Sequence, residues 1–89
     1  MYQIKTTPTF ENDLRKLDRQ IAKRIIQKIE WLAGQARISD LSVKYLPKDL
    51  EGLQKYRIGD WRVLFWLDHK KKEIILYGVE HRKSIYRRF

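Results

Sequence analysis

Leu53-Gln54-Lys55-Tyr56-Arg57-Ile58-Gly59-Asp60-Trp61-Arg62-Val63-Leu64-Phe65-Trp66 holds two runs of strand character on either side of Gly59-Asp60. A two-residue link carrying glycine between such runs signals a β-hairpin. That loop length pairs Ile58 with Trp61, Arg57 with Arg62 and Tyr56 with Val63. Side chains alternate along a strand, so Tyr56, Ile58, Trp61, Val63 and Phe65 share one face. The other face receives Lys55, Arg57 and Arg62, with Leu64 and Trp66 further along. Like charges directly opposite one another destabilise a sheet. Arg57 across from Arg62 breaks a local rule on one face of a well-patterned hairpin, which is where a functional surface is expected.

A third strand follows, Glu73 to Glu80, after His69-Lys70-Lys71-Lys72, which reads as a solvated turn. Strict alternation pairs Leu67 with Ile74, Phe65 with Leu76 and Val63 with Gly78. It also pairs Trp66 with Ile75, Leu64 with Tyr77 and Arg62 with Val79, and it carries His81 onto the face of Arg62. The basic residues from His81 to Phe89 then read as a helical turn or a tail, a turn stacking Arg82 and Tyr86 four residues apart.

Upstream, Tyr2 to Thr6 alternates as a short first strand. Thr7-Pro8 has the form of a helix start, and Phe10, Leu14 and Leu17 give its apolar stripe. Asp18 ends that helix and caps a second, whose stripe is Ile21, Ile25, Ile26, Ile29, Leu32 and Ala33, with Gly34 as its stop. A linker this short makes an αα-hairpin. Residues 35–52 are less regular, with a short strand around Val43 to Leu46. The fold class is therefore α+β: an N-terminal strand, an αα-hairpin packed on an antiparallel sheet of about four strands, and a short C-terminal helical turn.

The 89 residues suit one domain, 1–89, because single domains run to about 100–150 residues. Composition is that of a globular chain, 43% apolar and 12% aromatic. Cysteine is absent, which leaves neither disulfides nor thiolate metal sites and fits the cytosol. There is no apolar run of about 18 residues, and the N-terminus has no signal-peptide pattern, so a cytoplasmic protein away from membranes is expected. The net charge of +9 favours a polyanion, nucleic acid first. Through residue 43 there are eight basic and five acidic residues; beyond it there are twelve and six, so the excess leans toward the strands. On the helices, Arg15, Lys16, Arg19, Lys23, Arg24 and Lys28 can contact phosphate, but a solvated helix surface explains them as well.

The hairpin residues suit cleavage of RNA by its own 2′-hydroxyl. A base takes the 2′-OH proton, cations stabilise the phosphorane, and an acid protonates the leaving oxygen; neither metal nor cofactor is required. Arg57 and Arg62 can hold the phosphate bidentately. Lys55 is a candidate base, and His81 can be acid or base because histidine titrates near neutrality. Tyr86 can stack on a nucleobase or share the proton work. A phosphate grip without catalysis uses the same residues.

The short strand, the αα-hairpin, YRIGDWRVLF at 56–65 and HRKSIYRR at 81–88 together resemble the RelE/ParE toxin superfamily of type II toxin–antitoxin systems. For the RelE-like branch, the resemblance implies a metal-independent endoribonuclease (an mRNA interferase) that cuts mRNA in the ribosomal A site and stops translation. It implies a cognate antitoxin encoded by the neighbouring gene, which the charge would make acidic where it covers the hairpin. Lys55, Arg57 and Arg62 match the branch's basic catalytic positions, Arg82 or His81 its late-strand position, and Tyr86 its near-terminal aromatic. The Arg82-to-Tyr86 spacing is shorter than in the branch's pattern, and Arg57 stands where a lysine is also found. The ParE branch, a DNA gyrase inhibitor, and a catalytically silent basic binding module are the alternatives.

Overall fold

The computed structural model describes residues 1–35 and 48–84. Thr7 begins the helical part with extended backbone, φ −121°, and its hydroxyl oxygen accepts the Phe10 N–H at 3.3 Å. Pro8 follows in the first turn, where its missing N–H costs nothing. Helix α1 runs Pro8–Arg15, and helix α2 runs Arg19–Ala33 behind an Asp18 cap that accepts the Gln20 N–H at 2.9 Å. Both starts lie where the capping residues put them. Gly34 closes α2 in right-handed helical conformation, so a glycine is not forced there by a left-handed cap.

Strand β1 spans Gln3–Thr6, β2 Gln54–Ile58, β3 Trp61–Asp68 and β4 Glu73–His81, and a 3-10 turn covers Lys48–Leu50. The sheet order is β1-β4-β3-β2. β2, β3 and β4 are antiparallel neighbours, whereas β1 lies parallel to β4. The sheet is thus mixed rather than wholly antiparallel, since the chain leaves β1 through both helices and re-enters the sheet at its far side. Residues 82–84 are helical after β4. The expected strand around Val43 to Leu46 lies outside the described residues. No helix among the described residues is long and apolar enough to cross a membrane.

The main core lies between helices and sheet. Phe10, Ile25, Ile29, Leu32 and Ala33 meet Ile58, Val63, Phe65, Ile74, Leu76 and Val79 there, with Tyr2 at one end. A smaller cluster, Leu53 and Leu64 with Trp66 and Tyr77 against them, occupies the opposite side. Helix α1 is also fixed to the sheet by polar contacts. The Thr7 hydroxyl donates to the Leu76 carbonyl at 2.8 Å, and Asp13 Oδ2 accepts the Val79 N–H at 3.0 Å. β1 ends its pairing at Leu76, so these side chains serve the β4 edge that β1 no longer covers.

The register of β4 departs from strict alternation. Phe65 faces Leu76, yet Leu64 faces Gly78, which leaves Tyr77 as an extra residue in a β-bulge. Beyond it, Val63 pairs with Val79, Arg62 with Glu80 and Trp61 with His81. The pairings of Val63 with Gly78, Leu64 with Tyr77 and Arg62 with Val79 are therefore corrected. The physical reason is burial: unbroken alternation would turn Glu80 toward the apolar core. The bulge instead buries Val79 there, 5% exposed, and leaves Tyr77 against Trp66 on the other side.

Candidate nucleic-acid interface

The β2–β3 hairpin adopts the register that its turn length dictates. Arg57 lies opposite Arg62, Tyr56 opposite Val63 and Ile58 opposite Trp61. Gly59 takes φ +60° at the first loop position, while Asp60 has no positive φ, as in a type II′ turn. Ile58 and Val63 are buried under the helices, which fixes the register and turns Lys55, Arg57 and Arg62 to the opposite face. Arg57 is exposed, whereas Lys55 and Arg62 are half-buried. Arg62 bends back over the turn, its Nη1 donating to the carbonyls of Gly59 at 2.8 Å and Trp61 at 2.9 Å.

Glu80 extends the row on the far side of Arg62, so Arg57, Arg62 and Glu80 follow one another across three strands. The bulge creates this neighbour, which strict alternation missed. Gly78 inside the strand was the signal available, since an isolated strand glycine points to a bulge.

His81 does not join the basic face, contrary to the sequence reading. It pairs with Trp61, and the two rings meet edge to face, centroids 5.1 Å apart, on the helix side. Its Nδ1 accepts the Lys83 N–H at 3.3 Å. There it lines a cleft of about 420 Å³ with Asp13, Lys16, Leu17, Val79 and Ser84. The one-residue shift at Tyr77 is the cause, because it exchanges the faces of every later residue in β4.

Arg82, the next residue, is tied to the hairpin turn. Its backbone N–H donates to the Asp60 carbonyl at 2.8 Å, and its Nε lies 3.6 Å from Asp60 Oδ1. Asp60 thus links the turn to the end of β4, a role no local sequence pattern announced. Tyr86 lies outside the described residues. Of the six residues singled out from sequence, Lys55, Arg57 and Arg62 share a face and Arg82 stands at the end of their hairpin. Such a fan of cations can grip a phosphodiester and offset charge that builds on it.

Comparison with known proteins bears on what such a surface serves. The family described as ParE toxin of type II toxin-antitoxin system, parDE, matches residues 4–86. Toxin RelG of Mycobacterium tuberculosis (strain ATCC 25618 / H37Rv) is 32% identical over 88 residues, 98% of each chain. Among solved structures, the RelB-RelE antitoxin-toxin complex from Methanococcus jannaschii matches with TM-score 0.66 and 28% identity, covering 96% of this chain and 98% of that one. The isolated E. coli RelE toxin matches with TM-score 0.71 over the full length of both chains, at 13% identity, a likeness of fold.

Proposed function

Because the chain belongs to the ParE toxin family of type II toxin–antitoxin systems, on the RelE-like branch of the RelE/ParE superfamily, we propose that it is a ribosome-dependent endoribonuclease that cleaves mRNA in the A site. The observation that carries this reading is the common face of Lys55, Arg57 and Arg62 on a hairpin whose end holds Arg82.

The reaction is transesterification. Lys55, in its neutral form, removes the 2′-OH proton, and the 2′-oxygen bonds to phosphorus. Arg57 and Arg62 hold the pentacoordinate phosphorane as its negative charge grows. The bond to the 5′-oxygen breaks, leaving a 2′,3′-cyclic phosphate, and the 5′-oxygen takes a proton. No metal or cofactor has a part in these steps. Lys55 is preferred over His81 as the base because His81 lies on the other side of the sheet, against Trp61. Tyr86, which matches the branch's near-terminal aromatic, keeps the role its side chain suits, stacking on a nucleobase or sharing the proton work.

The partner that restrains this activity is a cognate antitoxin, acidic where it meets the hairpin, as the +9 charge favours. Support comes from the Methanococcus jannaschii relative, whose structure is an antitoxin–toxin complex. Action on ribosomes places the protein in the cytoplasm. Gyrase inhibition is the second reading, favoured by the matching family's description as ParE.

Expression with and without the neighbouring gene product, scored for growth, tests the toxin. Mapping cuts in mRNA on programmed ribosomes for wild type and Arg62→Ala then tests the chemistry. The expected result is A-site cleavage by wild type, lost in Arg62→Ala. Growth arrest without such cuts, but with accumulated DNA breaks, replaces the nuclease by the gyrase reading.

A further inference from the structure

Gly59 has an arginine from a distant element against it. A Cβ built on Gly59 would lie 3.6 Å from one terminal guanidinium nitrogen of Arg24 and 3.7 Å from the other. Arg24 belongs to α2, so its side chain reaches across to the tip of the hairpin. Arg62, from β3, donates to the carbonyl of the same glycine at 2.8 Å. Arg82, after β4, rests on the next residue, with Nε 3.6 Å from Asp60 Oδ1. Three guanidinium groups from three elements therefore converge on a two-residue turn.

Two carboxylates stand near them: Asp60, 63% exposed and already paired with Arg82, and Glu80, directly across from Arg62 on β4. Among the described residues, Arg24 has no carboxylate within ion-pair range. Crowded guanidinium groups repel one another, and a bound oxyanion relieves that repulsion. A single carboxylate is satisfied by one bidentate arginine, whereas three arginines in a fan suit the oxygens of a phosphodiester. Helix surface alone would account for Arg24 pointing into water, not for its lying on the hairpin turn.

We propose that Arg24, Arg62 and Arg82 form a second phosphate site at the hairpin tip. It takes a backbone phosphate of single-stranded RNA next to the one held by Lys55, Arg57 and Arg62. Arg62 is common to both sites, so the strand would run off the basic face and over the turn toward α2. This deepens the reading of the hairpin as an RNA-acting surface and rests on it. It also separates Arg24 from the other helix cations, which remain solvated surface.

The test is binding, read apart from cleavage. A labelled single-stranded oligonucleotide with 2′-O-methyl sugars, which cannot undergo 2′-attack, is titrated with the full chain by fluorescence anisotropy across a salt series. Arg24→Ala is expected to weaken binding and to lower the slope of log K against log salt by about 0.7, one phosphate contact on a single strand. Arg24→Lys keeps most of that slope. Lys28→Ala, exposed on the same helix, leaves affinity and slope at wild-type values.

An unchanged slope in Arg24→Ala overturns the site, as does an equal fall in Arg24→Ala and Lys28→Ala, which would mean a diffuse field. Weaker binding of an acidic peptide by Arg24→Ala, with oligonucleotide affinity intact, also overturns it and assigns the arginines to a protein partner. Arg24-dependent binding by a protein that cuts no mRNA would retire the nuclease and keep this site. Cleavage with Arg24-independent binding would do the reverse.

Discussion

On the helix side of the sheet, Val63, Phe65, Ile74 and Leu76 are at most 1% exposed, and α1 and α2 cover them. On the other side, Leu53 and Leu64 reach that depth, and the hairpin end of the same strands carries Lys55, Arg57 and Arg62. The pleat lets one hairpin serve two purposes, because its period of two sends neighbouring residues into opposite environments. Burial on the first face fixes the register, and a fixed register aligns the cations on the second. Stability and phosphate binding should then respond to different substitutions, although the residues concerned are adjacent in sequence.

The largest expected effect tests the covered face. Phe65→Ala removes a fully buried ring and should cost about 3–5 kcal/mol. For a domain of this size that is a large share of a total of roughly 5–15 kcal/mol. Leu64→Ala, its neighbour in the smaller cluster, should fall near the low end of the leucine range, about 2 kcal/mol. Urea unfolding of the two variants measures the difference. Equal losses would mean that the smaller cluster is as much a core as the larger one.

The next effect concerns function on the open face. Arg62→Ala should lower single-turnover cleavage on the ribosome about 100-fold or more, as when one donor to developing charge is removed. Lys55→Met should lower it by roughly 10²–10⁴, the range for a lost general base. His81→Ala, on the helix side, should stay within about tenfold of wild type, below the loss expected for a general base. If His81→Ala matched Lys55→Met, the division between the faces would fail at the strand end, and His81 would have to reach round it to the RNA.

That division was only partly legible in the sequence. The hairpin register could be read because turn length fixes pairing locally, and Thr7 and Asp18 marked the helix starts because capping is local too. His81 went to the wrong face because a single extra residue, Tyr77, reverses everything after it, and the gain from burying Val79 is a tertiary one. The parallel partner of β1 and the Asp60–Arg82 link join residues far apart in the chain, so no periodicity registers them. The shared face of Lys55, Arg57 and Arg62 was readable, and their catalytic roles stay with the cleavage experiments above.

Asp13 tests how the two sides are joined at the bulge. Its carboxylate accepts the Val79 N–H just after Gly78, where β1 no longer pairs with β4. Asp13→Ala leaves a partly buried donor unpaired and should cost about 1–3 kcal/mol. Asp13→Asn keeps an acceptor oxygen and should recover most of that. If Asp13→Ala also slows hydrogen exchange at Val79 no less than wild type does, the bond is dispensable and the bulge is held by packing alone.

The smallest effect has the opposite sign and bears most directly on why the faces differ. Arg57 is exposed and sits directly across from Arg62, a like-charge pair that opposes folding. Glu80 on the far side of Arg62 moderates the row but is not the neighbour of Arg57. Arg57→Thr removes the repulsion and places a β-branched residue in a strand, so stability should rise by about 0.2–1 kcal/mol. Oligonucleotide affinity should fall in the same variant, and high salt should shrink both changes because it screens exposed charges. A gain in stability together with a loss of binding is what a surface held for its ligand produces. A loss of stability would instead show that Arg57 packs along its strand, and the charge on the open face would then need no ligand to account for it.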